Sequence, residues 1–395
     1  MTINRRTFIK RGALALGASL VRLPIVTASV APRRIVIIGA GMAGLSAGYE
    51  LSQLGHEVTI LEARRYPGGR VHTIREPFSD GLFAEAGAAR IPDDHDLTLK
   101  YAKLFEVALE PMYPSRLSSL VVDGQSKREV SIDGFTDGLA QYFGSEFKGP
   151  SRFSKMKGGN DNLPKAVARR LGDKIRYGTP VVKIDQDDKA ARVTFLEKGN
   201  RQTMNADRVL CAVPFTLLRD IEMPANFPEQ RRDIIRNLNY ASVSRVYLQA
   251  KRRSWEEKGL NGFAITNDAV EIWQPTWNQP GPRGIIMTYN RPGQAERIAA
   301  MKEPERVSST LAQLGPLFPG LQENFELGAT KIWTEDEWAR GAWAFVGVRD
   351  FFTASAPEGR IHFAGEHLSR FSSWIQGALE SSAVAVKQIN EAAVS

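Results

Sequence analysis

The sequence predicts an α/β protein, and three stretches predict it. Residues 34 to 63, RIVIIGAGMAGLSAGYELSQLGHEVTILEA, run from an apolar strand through a glycine loop and a helical segment to a second apolar strand that ends in Glu62. About 320 residues later Ile361-His362-Phe363-Ala364-Gly365-Glu366 restarts the same strand–glycine–helix logic. Between them lies a β-rich stretch with the periodicity of a second, differently built layer. Together these specify a Rossmann-like dinucleotide-binding domain made of separated segments, with an inserted α+β substrate domain containing a mixed sheet. The expected segments are 33–75, 160–215 and 355–395 for the nucleotide domain, and 76–159 and 216–354 for the insert.

In chain order, residues 1–31 read as a cleavable twin-arginine signal peptide. Arg5 and Arg6 precede Phe8, a moderately apolar stretch runs from Gly12 to Leu23, and small residues follow at Ala28-Ser29-Val30-Ala31. That order of basic, apolar and small residues is the pattern of a bacterial Tat export signal, which implies a periplasmic or secreted protein folded around its cofactor before export. Pro32 makes the bond after Ala31 a poor cleavage point.

The glycine loop comes next, and each glycine has a physical task. Gly39 allows the tight turn off the strand, Gly41 lets backbone approach a pyrophosphate, and Gly44 lets the helix pack on the strand. The helix N-terminus offers free N–H groups and a positive dipole end to the phosphates. Glu62, 18 residues after Gly44, is placed to accept ribose hydroxyls. Alone, this unit could equally serve NAD.

Farther on, 163–171 reads as a helix, 180–184 and 192–196 as strands, and Arg208 to Val213 as a strand stopped by Pro214. A helix at 229–238 precedes strands at Val243 to Ala250, Val270 to Trp273 and Ile285 to Tyr289. Helical text returns at 304–314, and the chain closes with a strand from Arg360 to Ala364 and a helix from Trp374 to Ala393.

Composition narrows the function. Hydrophobic residues are 43% and charged residues 24% of 395, ordinary for a globular protein of two domains. No apolar run approaches the ~18 residues of a membrane span. The net charge of +8 does not indicate nucleic acid, because residues 1–31 carry five basic residues and no acid. The Lys251-Arg252-Arg253 cluster reads as a solvated turn. Cys211, the single cysteine, reads as a core residue, and no spacing suggests a metal site.

The motifs Gly39 to Glu62, Pro67-Gly68-Gly69-Arg70, and Gly365-Glu366 with Trp374-Ile375-Gln376-Gly377-Ala378, in this order, resemble the flavin amine oxidase superfamily of monoamine, polyamine and L-amino-acid oxidases. The likeness covers nearly everything after residue 33. It implies FAD, bound non-covalently, since Ala342 stands where some relatives have a flavin-linked cysteine. By the same likeness Met42 and Ala43 face the pyrophosphate, Glu62 and Ala63 the adenosine ribose, and Arg70 lies near the phosphates. Gly87, Ala88 and Ala89 line the flavin, Val181 holds the adenine, Glu366 binds sugar or ribityl hydroxyls, and Trp374 and Ile375 sit at the isoalloxazine edge.

Ala86-Gly87-Ala88-Ala89-Arg90-Ile91-Pro92 is similar to the L-amino-acid oxidase branch, which implies Arg90 as clamp for a substrate carboxylate. Trp343 and Trp374 match an aromatic pair that guides an uncharged amine. Arg245 stands where many members have a lysine near flavin N5, and it cannot be neutralised. The segment from Pro114 to Lys157 is short where that branch carries a sizeable helical domain. The site is therefore either more open or capped by a second copy of the chain, which makes a homodimer a candidate assembly.

The expected chemistry is oxidation of an L-amino acid to a 2-oxo acid, ammonia and hydrogen peroxide, with dioxygen as acceptor. None of His56, His72, His95, His362 or His367 has a claim as general base. Alternatives are an oxidase of amines lacking a carboxylate, a dehydrogenase with another acceptor, and a flavin-binding partner without turnover. A further alternative is a serine hydrolase, because Gly44-Leu45-Ser46-Ala47-Gly48 matches GxSxG; but that chemistry needs the serine on the turn, and Ser46 falls inside the helix.

Overall fold

The computed structural model describes residues 31–266, 270–344 and 346–392. The leader read in residues 1–31 falls outside the described residues except for Ala31. From Pro32 onward the elements of a mixed α/β fold build around two large sheets. The first is parallel and five-stranded, in spatial order Ile175–Tyr177, Glu57–Glu62, Arg34–Ile38, Arg208–Cys211 and Ile361–Phe363. Ile37 sits in register between Ile60 and Leu210, and Cys211 faces Phe363.

The opening strand is apolar at every interior position because both of its faces are covered. Ile35 and Ile37 join Leu45, Leu51 and Ile60 in one core, with the closing helix Ile375–Glu391 adding Leu379 and Ile389. Val36 and Ile38 join Val209, Cys211 and Phe363 in the core on the other face. The helix Met42–Gln53 leaves the strand through Gly39, whose φ of 99° suits glycine. A Cβ at Gly44 would overlap the carbonyl oxygen of Gly39, so the helix can rest on its own turn only without a side chain there.

The second sheet is mixed and seven-stranded: Phe325–Ile332, Ser244–Ala250, Gly284–Asn290, Glu271–Trp273, Leu260–Thr266, Ser118–Asp123 and Ser126–Val130. The pairings are antiparallel except that of Leu260–Thr266 with Ser118–Asp123. Alternate residues again divide between two cores, Tyr247, Phe263, Met287 and Tyr289 on one side and Val246, Leu248, Ala264 and Ile286 on the other. Between Pro114 and Lys157 the structure has a β-hairpin, one twelve-residue helix, Ile132–Phe143, two single-turn helices and the short strand Phe153–Met156. No helix among the described residues is long and apolar enough to cross a membrane.

One reading needs correction in part: Lys251 and Arg252 are exposed, as a solvated turn requires, but Arg253 departs from it. Arg253 is not in a solvated turn: its guanidinium is half-buried and donates to the carbonyls of Arg283 and Gln279, at 3.0 and 2.7 Å. Ser46, by contrast, lies inside the helix as expected from sequence, away from the turn that a serine hydrolase needs. Ser46 is buried within its helix, its Oγ donating to Met42 O at 2.7 Å and meeting Ser382 Oγ at 2.8 Å.

Candidate active site

A cleft with about 1830 Å³ of atom-free space, part of it open to solvent, runs from the C-terminal ends of the parallel strands to the face of the mixed sheet. Ligands of open α/β sheets sit outside those strand ends. All of the site residues expected from sequence border this one cleft except Gly44, which is occupied in packing the helix.

At the sheet end the cleft is floored by Gly39, Gly41, Met42 and Ala43. No protein atom lies within 4 Å of where a Cβ on Gly41 would stand, so nothing in the protein itself requires glycine there. The helix that begins here has no side-chain cap and no acid in its first turn, leaving its first N–H groups free for an anion. Glu62 is buried, and its carboxylate accepts Ala40 N–H at 2.6 Å and Arg64 N–H at 2.8 Å. Burial raises its pKa, opposed by those two hydrogen bonds. Ala63 and Val181 border the same end.

Arg70 and Glu366 meet across the middle of the cleft at 2.7 Å, and Arg70 also donates to Ala342 O at 2.7 Å. The second oxygen of Glu366 takes Ser372 Oγ and Ser373 N–H, each at 2.9 Å. Glu366 is therefore a buried hub that ties the turn after Gly365 to the start of the closing helix. A phosphate or sugar would meet Arg70 already oriented by it. These residues fit a long nucleotide cofactor: an open glycine floor, an uncapped helix end, an acid at the far strand end and an oriented arginine.

At the other end the mixed sheet sets its side chains in rows. Arg245 faces Tyr289, and Tyr289 faces Glu271, on three adjacent strands. Glu271 is fully buried, and its carboxylate is shared by two guanidinium groups, Arg90 on Oε2 and Arg291 on Oε1 at 2.7 Å. Arg90 lies over the rings of Trp273 (4.6 Å) and Phe147 (5.3 Å), and Arg245 over Tyr289 (4.8 Å) and Trp273 (5.3 Å). Arg245 also donates to the backbone carbonyl of Glu85. The Nε atoms of Arg90, Arg245 and Arg291 and the hydroxyl of Tyr113 have no hydrogen-bond partner among the described residues. Burial lowers the pKa of Arg90 and Arg291.

Gly87, Ala88, Ala89, Trp343, Trp374 and Ile375 line the same cleft. The Trp374 ring rests edge-on against His95 at 4.9 Å and near Phe147 at 6.2 Å. No histidine borders the cleft among the described residues. His72, His95, His362 and His367 are each held near a pKa of about 4, chiefly by burial, and so stay neutral. Cys211 is buried and its thiol is pushed up to about 12.

Sequence reasoning placed Arg90 here but not as a shared partner of Glu271, and it passed over Glu271, Arg291, Tyr289 and Phe147. A lone acid inside an apolar strand, Val270 to Trp273, was the one available signal, because a buried carboxylate demands a cationic partner.

The model for flavin containing amine oxidoreductases matches residues 42–134 and 130–390. Among curated relatives, YobN of Bacillus subtilis (strain 168), provisionally named an L-amino-acid oxidase, is 27% identical over 92% of this chain and 96% of its own. The flavin-dependent L-tryptophan oxidase RebO of Lentzea aerocolonigenes is 26% identical over 90% and 98%. The YobN comparison extends over 458 residues, against the 395 of this chain, so the relative carries segments with no counterpart here. The solved cyclohexylamine oxidase of Brevibacterium oxydans superposes with a TM-score of 0.78 at 18% identity, covering 91% of this chain and 99% of that one. Putrescine oxidase bound to putrescine gives 0.77 at 19%, with the same coverage. Fold, glycine floor and family match agree: the chain belongs to the flavin containing amine oxidoreductases, and its cofactor is FAD.

Proposed function

We propose that the protein oxidatively deaminates an L-amino acid, giving a 2-oxo acid, ammonia and hydrogen peroxide, with dioxygen as the acceptor. The observation that carries this reading is the cationic wall of the cleft, where Arg90, Arg245 and Arg291 stand against the single carboxylate of Glu271. A guanidinium held flat against aromatic rings pairs with a planar carboxylate through two hydrogen bonds, whereas a cationic diamine would meet like charge. The relatives named as L-amino-acid oxidases support the same substrate class.

When bound, FAD supplies the acceptor at N5 for the hydride that leaves the substrate Cα. The chain supplies placement. The Rossmann-like turn from Gly39 to Gly44 takes the pyrophosphate, Glu62 the adenosine ribose, Val181 the adenine, and Glu366 with Arg70 the central sugar and phosphate groups. Arg90, which borders the cleft, clamps the α-carboxylate with its guanidinium. Trp343 and Trp374 narrow the approach of an uncharged amine and exclude water. Arg245 adds a second guanidinium beside that of Arg90. The amine binds deprotonated, so no side chain has to act as general base. Export by the twin-arginine route, read from residues 1–31, would place the peroxide outside the cytoplasm.

A peroxide assay that pairs each L-amino acid with its decarboxylated amine tests this. The amino acids should be the substrates, and Arg90→Met should lower their kcat/KM by about a hundredfold or more, the scale of a lost buried charge contact. Undiminished turnover of amino acids by that variant would remove the carboxylate role. One observation favours a second reading, an oxidase of amines without a carboxylate: Arg90 already has a partner in Glu271. In that case the amine of each pair outruns the amino acid.

A further inference from the structure

We propose that the preferred substrate is an L-amino acid with a second carboxylate, of the glutamate and aspartate class; this rests on the amino-acid reading of the same cleft. Three guanidinium groups border the substrate end, and among the described residues Glu271 is the one carboxylate ion-paired with them. The other charged groups of this wall are spoken for. Glu85 turns its carboxyl to Thr73 Oγ1 and Asn160 N–H, at 2.9 and 2.8 Å, and hydrogen-bonds Arg245 through its backbone carbonyl, although that cation also favours its ionised form. Lys331, facing Arg245 across the sheet, pairs with Asp336, and Lys155 with Glu110.

Arg90 and Arg245 are 6% and 4% exposed, so their charge is not relieved by bulk water. Three guanidinium groups against the carboxylate of Glu271 leave positive charge in excess, and an α-carboxylate offsets part of it. A side-chain carboxylate offsets more. Reach permits both. Arg90 and Arg245 lie 4.6 and 5.3 Å from the centre of the same Trp273 ring, and Arg245 and Arg291 lie 4.8 and 4.9 Å from the centre of Tyr289. Neither pair is therefore more than about 10 Å apart, a span that a short dicarboxylate covers with about 3 Å hydrogen bonds at each end. The ring contacts hold each guanidinium plane, and each buried Nε lacks a hydrogen-bond partner among the described residues. A neutral or cationic side chain would leave more of that excess in place.

The test is anaerobic flavin reduction of the holoenzyme, comparing L-glutamate and L-aspartate with L-glutamine, L-asparagine, L-leucine, L-phenylalanine and the paired amines. One of the two acids should reduce the flavin at least about tenfold more efficiently than its amide. Glutarate, which cannot react, should raise the melting temperature where butyrate at equal concentration does not. Arg291→Met should cut the acid-to-amide ratio about tenfold, and Arg291→Lys should retain an intermediate ratio. An amide or apolar amino acid oxidised as well as the acids, or glutarate binding no better than butyrate, overturns the inference and leaves the amino-acid reading standing. Reduction by amines alone, or by none of these compounds, removes that reading and the inference with it.

Discussion

Glu85 shows how a single side chain can record its surroundings. It is buried between the two sheets' cores, and loss of water pushes its pKa up to about 7, partly offset by the Asn160 N–H and the Thr73 hydroxyl. The folded protein therefore holds this proton more tightly than the unfolded chain, whose carboxyl titrates near 4.5. Its contribution to stability is full below about pH 4.5 and is lost as pH rises to about 7. Glu85→Gln keeps a neutral side chain throughout. The melting temperature of the variant should gain on the wild type between pH 5 and 7 and hold a constant margin above; a difference that stays flat with pH would contradict the burial argument. This residue had no legible signal, for its shift comes from burial by elements distant in sequence, and the groups that oppose it, Asn160 and Arg245, are distant as well. The cofactor residues were legible because glycine spacing and a strand-end acid are local demands of one ligand. Glu271 and Arg291 were not, since their partnership exists only once three strands lie in register.

At the scale of elements, legibility followed burial. Strands covered on both faces, such as Arg34–Ile38 and Ser244–Ala250, appear in sequence as apolar runs and were read within a residue or two. The edge strand Phe325–Ile332 was missed: it is half-buried along most of its length and contains Gly328. Asn200–Ala206 is polar and exposed for nearly all of its length, and Leu260–Thr266 is broken in appearance by Gly262. The helix after the glycine turn makes a sharper case. Its seat depends on the missing side chain at position 44, so Gly44→Ala should displace the helix from Gly39. Overpacking of this kind costs about 1–3 kcal/mol. Gel filtration of the variant should release flavin at concentrations where the wild type retains it, with a lower melting temperature. Full retention of flavin would show that the turn yields more easily than its geometry implies.

For the whole molecule, the shape of the chain's path matters more than any one contact. The parallel sheet draws its strands from near residues 34, 57, 175, 208 and 361, while the mixed sheet is built from the chain between. The cleft takes walls from both, which is why distant motifs could be read as one site from their order alone. A chain ending at residue 355 would keep the mixed sheet and the opening glycine turn but lose the edge strand Ile361–Phe363, Glu366 and the helix Ile375–Glu391. Expressed beside the full-length protein, it should be recovered without flavin absorbance even when supplemented with FAD; a yellow truncated product would show that the first segments suffice.

That closing strand beside Arg208–Cys211 carries a consequence for biosynthesis. Its residues follow all the other strands of both sheets in the chain, so the nascent chain has no finished pocket to load until they too have been made. Flavin capture therefore waits for the last of the separated segments, and the incomplete pocket before it leaves the chain open to proteolysis. Riboflavin supply during expression should then set the yield of intact protein rather than only its specific activity.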